Sequence, residues 1–353
     1  MSVERRARLA GRLAEAELDA LLVTREVNVR WLTGFTGSAG SCLVRADGSC
    51  VLATDGRYAE QAAIQAPDVE LVIDRTREWL ADRLGPVERL GVESHALPWD
   101  AARALAAELE PVPVVPAPGY VEALRSIKDD GELDLIRQAC TITSEAFVAL
   151  LGWLAPGMTE LEAAWRLRGE IERLGAEDLA FETILASGPN SGLPHHRPSM
   201  RRLERGDLVL VDFGARVGGY RADMTRVVAL GSIDSRLLEV YGIVREAQAA
   251  GVAAAADGTP ARAVDAACRE LLAASGHGEQ FVHGTGHGLG LEIHEQPILN
   301  GGSDATLTAR MTVTVEPGVY LPGVGGVRVE DTVAVLPSGP EPLTTATHDL
   351  VVL

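Results

Sequence analysis

The sequence predicts an α+β protein in two parts: an N-terminal α/β domain over residues 1–118 and a C-terminal domain over residues 119–353 built from a duplicated α+β unit. Three observations carry this. Up to residue 115, short apolar runs alternate with helical patterns. PAPG at 116–119 is proline–glycine punctuation of the kind that separates domains. Beyond it, a helix–turn–helix plan followed by strand-like segments occurs twice. A chain of 353 residues, 46% of them hydrophobic, has the length and the apolar content for two cores.

In the first part, DALLVT (19–24) is a short apolar run with strand character. SCLVRADGSCVLAT (41–54) reads as a hairpin turning at Asp47-Gly48. Residues 69–73, 89–94 and 111–115 are further strands, and helical patterns cover 3–17, 57–65, 76–84 and 98–108. In the second part, Leu133, Ile136, Cys140, Thr143, Phe147, Leu151 and Leu154 keep helical spacing over 130–154, and Pro156-Gly157 stops that helix. Thr159 with Glu162 forms a capping box that opens the next helix, which runs to Gly175. The plan repeats with a helix at 235–256, a stop at Asp257-Gly258, and a start at Thr259-Pro260 leading to Gly276. Strands then follow at 208–215, 223–230, 312–321 and 326–336.

The formal charge of −18 argues against nucleic acid, which demands a basic footprint. No apolar run approaches the ~20 residues of a membrane span, so no membrane partner is expected. The charged, amphipathic N-terminus lacks a signal-peptide core, which makes a cytoplasmic location the expectation. Cys42, Cys50, Cys140 and Cys268 form no CxxC, although Cys42 and Cys50 flank the hairpin turn. Scattered cysteines of this kind suit a reducing compartment.

The acidic and histidine residues are more informative. Asp212 lies inside the strand LVLVDFGA, and Asp223 begins the returning strand DMTRVVAL after a Gly218-Gly219 turn. Either carboxylate alone is explained by an ion pair with Arg221 or Arg226. Two brought together on facing strands favour a cation between them. In TVTVEPGVYL, Glu316 ends the strand residues just before Pro317-Gly318, and Glu330 lies in GVRVEDTVAVL, where strand periodicity puts it on the face of Arg328. Three of the chain's eight histidines, His283, His287 and His294, fall in the glycine-rich HGTGHGLGLEIHEQP (283–297). Carboxylates with one imidazole suit Mn²⁺, Co²⁺ or Zn²⁺. Four carboxylates exceed the need of one ion and suit two ions about 3.5–4 Å apart.

The order Asp212, Asp223, His287, Glu316, Glu330, set in VDFGA, GGYRADMTR, HGTGHGLGLEIHEQP, VTVEPGVY and GVRVEDT, resembles the five-ligand signature of the pita-bread metallopeptidases. Within that superfamily the chain is similar to the proline-specific branch, aminopeptidase P and prolidase. SGPNSGLPHHRPS (187–199) resembles that branch's histidine-bearing segment, and NVRWLTGFTGSAG and ATDGRYAEQA resemble its creatinase-type N-terminal domain. The likeness spans nearly the whole chain. It implies a creatinase/prolidase-type domain over 1–118 and a pita-bread catalytic domain over 119–353, a curved antiparallel sheet covered by helices. It implies two divalent ions, Mn²⁺ before Co²⁺ or Zn²⁺, held by Asp212, Asp223, His287, Glu316 and Glu330. Glu316 would double as acid/base, His195 and His294 would donate to the developing oxyanion, His283 would lie by the bound peptide, and Arg328 would orient ligands or substrate. His196 has no family role. Tyr220, Tyr320, Phe181 and Val324 are candidates for the proline slot. The implied substrates are peptides with proline at the second position. The compact chain shows no basic insertion to capture a free carboxylate, which favours an Xaa-Pro aminopeptidase. An Xaa-Pro dipeptidase is the alternative, and an inactive peptide-binding module is a further one. The family implies a homodimer, with Trp31 and the 34–40 loop as the elements that reach across.

Overall fold

The computed structural model describes residues 2–76 and 78–353. The chain divides into two compact units, one ending at Arg125 and one running from Ser126 to Leu353.

The first unit holds α1 (Ser2–Glu15), β1 (Ala20–Val23), α2 (Glu26–Thr33), β2 (Gly40–Arg45), β3 (Cys50–Thr54), α3 (Ala59–Gln65), β4 (Glu70–Ile73), α4 (Glu78–Leu84), β5 (Leu90–Val92), α5 (Trp99–Glu108), β6 (Val114–Pro116) and α6 (Tyr120–Arg125). Its six strands form one mixed sheet in the order β4-β3-β2-β1-β5-β6. The β2–β3 hairpin is antiparallel, and β4, β5 and β6 each join by a parallel pairing. The helix expected over 76–84 is observed from Glu78, residue 77 lying outside the described residues. Helix α2 was not anticipated: eight residues with Val27 and Val29 among them carry too weak a helical pattern. It closes on Gly34, whose φ of 85° only glycine adopts without strain. Trp31 of α2 is 1% exposed, with the Arg5 guanidinium 4.9 Å from its ring, so it belongs to this unit's core and is not a reaching residue. Helix α6 packs on α1 and α2, which carries the first unit past the break expected at 118. All four cysteines are buried and reduced.

The second unit opens with α7 (Asp130–Leu151) and α8 (Glu160–Arg173). The capping box read at Thr159 is present: the Thr159 hydroxyl accepts from Glu162 N at 3.1 Å, and Glu162 accepts from Thr159 N at 2.7 Å. The strands β7 (Asp178–Leu179), β8 (Ile184–Ser187), β9 (Leu208–Phe213), β10 (Ala215–Val217), β11 (Tyr220–Arg221) and β12 (Met224–Ala229) follow. A second helix pair, α9 (Ser235–Ala254) and α10 (Ala261–Ala274), precedes β13 (Gly286–Gly288), β14 (Glu295–Leu299), β15 (Thr312–Val315), β16 (Gly318–Leu321), β17 (Gly325–Arg328), β18 (Asp331–Leu336), β19 (Gly339–Pro342) and β20 (Val351–Val352). Each helix pair is thus followed by its own antiparallel strands: β8-β9-β12 in one sheet and β14-β13-β15-β18-β19 in the other. One apolar core packs α9 and α10 on the second sheet through Val244, Cys268, Val313 and Val333; another packs α7 and α8 on the first through Phe147, Leu167, Val211 and Val228. This is the α+β plan expected. The segment 326–336 is not one strand. It breaks after Arg328 and resumes at Asp331, so β17 pairs with β16 while β18 pairs with β15 and β19.

Candidate metal centre

The strand ends bring the acidic residues together. β9 and β12 are antiparallel with Asp212 opposite Thr225, so Asp223 lies diagonally across from Asp212 on the same face. Glu316 sits where β15 ends, with its N–H donating to the Thr285 carbonyl at 2.8 Å. Glu330 sits in the break between β17 and β18, its N–H on the Thr225 carbonyl at 3.2 Å. The break is what turns Glu330 inward. His287 lies on β13, where the ladder to β14 bulges after it. The glycines of this stretch have a steric reason. A Cβ at Gly286 would lie 2.0 Å from the Thr314 carbonyl oxygen, and one at Gly288 would lie 2.2 Å from that of Gln296. Only glycine lets β13 fit between its neighbours and hold His287 among the carboxylates.

Asp212, Asp223, His287, Glu316 and Glu330 all line one cavity of about 320 Å³, together with His195, His283, His294 and Arg328. Asp223, His287 and Glu330 each offer a ligand atom within 4.8 Å of the other two. His287 Nε2 lies 3.6 Å from Asp223 Oδ2 and 3.4 Å from Glu316 Oε1. Its Nδ1 donates to the Gly288 carbonyl at 3.0 Å, so Nε2 turns a lone pair toward those oxygens. Burial pushes this imidazole down to about 4. Lone pairs facing lone pairs repel unless a proton or a cation lies between them. Asp212 differs in detail: Oδ2 accepts from Arg328 Nη2 at 2.6 Å, while Oδ1 is buried without any hydrogen bond. An orphaned carboxylate oxygen on the wall of this cavity fits a ligand position.

The electrostatics point the same way. Burial, then the charges of Glu330, Asp212 and Glu316, raises Asp223 well above the usual carboxylate range. Burial, then Glu316 and Asp212, does the same for Glu330. Burial lifts Glu316 to about 8 against the pull of Arg328. Without cations these groups hold protons; a bound divalent cation would ionise the carboxyls that ligate it. No cysteine lines the cavity, and the donor set is that of a hard or borderline ion. Asp223, His287 and Glu330 supply the tightest part of such a site, with Glu316 and Asp212 completing it.

Around this centre runs a hydrogen-bonded wall. Arg328 Nη1 donates to the Tyr320 hydroxyl at 2.6 Å, and Tyr320 lies 2.9 Å from His283 Nε2. His283 Nδ1 donates to the Gly284 carbonyl at 2.8 Å, so Tyr320 donates on to Nε2. Burial lowers His283 to about 4 and keeps it neutral. Arg328 Nε also donates to Thr225 Oγ1 at 3.0 Å, and that hydroxyl donates to Glu330 Oε2 at 2.6 Å. His294 stands edge-on to His287, with ring centroids 4.4 Å apart. Phe181, Ile184, Pro194, Ile293 and Ile298 give the cavity its apolar side.

Several expectations change. Arg226 pairs with the buried Asp331 at 2.7 Å, and Arg221 Nε donates to the Leu291 carbonyl, so neither neutralises Asp212 or Asp223. Of the slot candidates, Phe181 lines the cavity. Tyr220 instead donates to Glu132 at 2.6 Å, and Val324 packs on the apolar core. Tyr320 serves as the link between Arg328 and His283. Thr225 was missed, although a residue two beyond Asp223 on a strand must share its face. His196, given no role from sequence, donates its Nε2 hydrogen to the buried Glu160 carboxylate at 2.8 Å.

Comparison with known proteins places this geometry. The pattern described as metallopeptidase family M24 matches residues 134–337, and that of the creatinase/prolidase N-terminal domain matches residues 5–127. Among solved structures, the Xaa-Pro dipeptidase from Bacillus anthracis is 38% identical, superposes with a TM-score of 0.96, and is covered over 100% of both chains. The prolidase from Pyrococcus horikoshii is 32% identical with a TM-score of 0.93, covering 99% of this chain and 100% of that one. The X-Pro aminopeptidase from Thermotoga maritima is 34% identical with a TM-score of 0.90, covering 99% of each.

Proposed function

The chain belongs to metallopeptidase family M24, and from that premise we propose that it is an Xaa-Pro dipeptidase of the prolidase type working with two divalent ions, Mn²⁺ first. The observation that carries the peptidase reading is the convergence of Asp212, Asp223, His287, Glu316 and Glu330 on one small cavity with an apolar flank. Absence of an insertion favoured an aminopeptidase from sequence. That reasoning loses force because this chain matches end to end a structure described as an Xaa-Pro dipeptidase. A cavity near 320 Å³ sits at the small end of ligand sites and suits a dipeptide. The aminopeptidase reading retains two supports: the likeness to the Thermotoga maritima X-Pro aminopeptidase over 99% of each chain, and a second groove, lined by Trp165, Phe181, His195 and Arg197, which shares Phe181, Ile184 and His195 with the cavity and offers room for a longer peptide.

Bound ions supply Lewis acidity and an activated water. The chain supplies the rest. Glu316, held at the end of β15 on the wall of the cavity, takes the proton of the attacking water and returns it to the leaving proline nitrogen. His195 and His294, facing the same cavity, donate to the carbonyl oxygen as it gains charge. Neutral His283, fixed by Tyr320, lines the substrate side without adding charge. Arg328 holds Asp212 and Tyr320 together and so couples the ligand wall to the substrate wall. The imide nitrogen before proline has no hydrogen to donate, so Phe181, Ile184, Ile293 and Ile298 receive its ring by contact alone.

The test is hydrolysis of Xaa-Pro against Xaa-Pro-Yaa with Mn²⁺ supplied. Preference for the dipeptide supports the proposal, and preference for the tripeptide replaces it with the aminopeptidase. Binding of either peptide without cleavage by metal-loaded protein leaves the peptide-binding module.

A further inference from the structure

The segment 187–199 carries His195 to the cavity, yet little apolar packing secures it. Leu193 is 56% exposed and Met200 71%, and the Arg197 side chain is out in solvent. What ties its two ends and its middle to α8 is one carboxylate. Glu160, the first residue of α8, is 0% exposed, and every hydrogen-bond partner of its two oxygens lies between residues 187 and 199. Oε1 accepts from Ser187 N and Oγ, both at 2.8 Å, and from Asn190 Nδ2 at 3.0 Å. Oε2 accepts from Ser199 N at 3.0 Å, from Ser199 Oγ at 2.6 Å, and from His196 Nε2 at 2.8 Å. The carboxylate therefore clamps both ends of the segment and its middle. A buried charge is expensive unless its lone pairs are filled, and these are filled by a single loop.

We propose that Glu160 is a positioning residue for His195: it ties down Ser187, Asn190, His196 and Ser199 so that the neighbouring His195 ring is presented to the cavity in one place. His196 is the nearest part of the clamp. Held on Glu160, it fixes the backbone from which His195 reaches the cavity. The clamp extends to the opposite wall, because Ser191 Oγ accepts from Gly326 N at 2.9 Å on β17, the strand that ends in Arg328, and the Pro194 carbonyl accepts from Arg328 Nη1 at 3.4 Å. The segment contributes no metal ligand, so its disorder costs turnover and not ion binding.

This rests on the reading of His195 as a donor to the reacting carbonyl, and the experiment separates the two. Glu160→Gln turns one acceptor oxygen into an amide NH₂ that faces donors. His196→Ala removes one donor only and serves as the gentler variant should the first melt early. Each is made alone and in a His195→Ala background, and metal content, melting temperature, kcat and KM on an Xaa-Pro dipeptide are measured. A catalytic group displaced by about 1 Å loses on the order of 100-fold in rate. Glu160→Gln is therefore expected to lower kcat by about 10–100-fold, and His196→Ala by less, with KM and metal content nearly unchanged. In the His195→Ala background both should cost less than about threefold, because residues acting through one group are not additive. Full additivity, or a loss expressed in metal content, overturns the proposal while leaving His195 as a donor. Full activity of His195→Ala alone overturns the reading of His195, and the proposal with it.

Discussion

Removing the metal should make stability fall with rising pH in a defined window. In the metal-free fold, Glu316 is lifted from 4.5 to about 8 by burial, and Asp223 and Glu330 are raised as well. In the unfolded chain the same groups ionise at ordinary carboxylate values. Between those limits the folded state binds the extra protons, so stability falls as pH rises. His283 and His287, lowered to about 4, and His294, lowered as well, act in the opposite sense, and that effect fades as pH rises past the unfolded imidazole value of 6.5. Glu160 and Asp331, lowered to about 2, contribute stability that is complete above the unfolded carboxylate range and constant thereafter. From pH 6.5 to 8 the site carboxyls therefore have the larger effect, with that of the histidines dying away across it. At about 1.4 kcal/mol per pH unit, each retained proton costs the metal-free fold about 2 kcal/mol across it. For a unit of this size that is a fall in Tm of about 4–8 °C. The assay is calorimetry of chelator-treated protein at pH 6.5, 7.25 and 8, repeated after Mn²⁺ is restored. The loaded protein should lose the slope, because ion binding expels the same protons, and Mn²⁺ added at pH 7 in weak buffer should acidify the solution. A metal-free Tm that is flat or rises over this window refutes the reasoning.

Further outcomes follow from the same geometry. Glu316→Gln should lower kcat by at least about 100-fold, the scale of a lost general acid/base, while circular dichroism shows the fold intact; an active variant removes Glu316 from that role. Arg328→Lys keeps the charge but cannot reach Asp212, Tyr320 and Thr225 together; steady-state kinetics should show about a 10–100-fold loss in kcat/KM. Gly286→Ala sets a Cβ against the Thr314 carbonyl, and denaturant melts should show about 1–3 kcal/mol lost together with weaker Mn²⁺ binding.

The fold was legible where local chemistry is strong. The capping box at Thr159 and Glu162 and the glycine-stopped helix pairs fixed the frame of the second unit. The apolar run of LVLVDFGA, the Gly218-Gly219 turn and the returning DMTRVVAL gave the pairing that sets Asp212 near Asp223. What stayed hidden depended on the third dimension. Residues 326–336 read as one strand because an inward Glu330 in an apolar run looks like ordinary alternation, whereas the break lets β17 and β18 join different sheets. Helix α2 is too short and too rich in valine to announce itself, and its Trp31 looked available only because burial cannot be read from a single aromatic. The Asp212–Arg328–Tyr320–His283 wall joins four separate segments, and no spacing along the chain foretells such a circuit. Glu160 passed as a first-turn acid of α8, a position where carboxylates commonly favour the helix dipole, and only its complete burial marks it out.

The most direct measurement is the divalent-ion content of the protein by elemental mass spectrometry after Mn²⁺ loading and desalting, compared with Asp223→Asn and Glu330→Gln. Two ions per chain in the unaltered protein, falling to one or fewer in each variant with the fold retained, is the result expected of a paired-ion centre. Protein that retains no ion, or variants that retain as much as the unaltered chain, would contradict it.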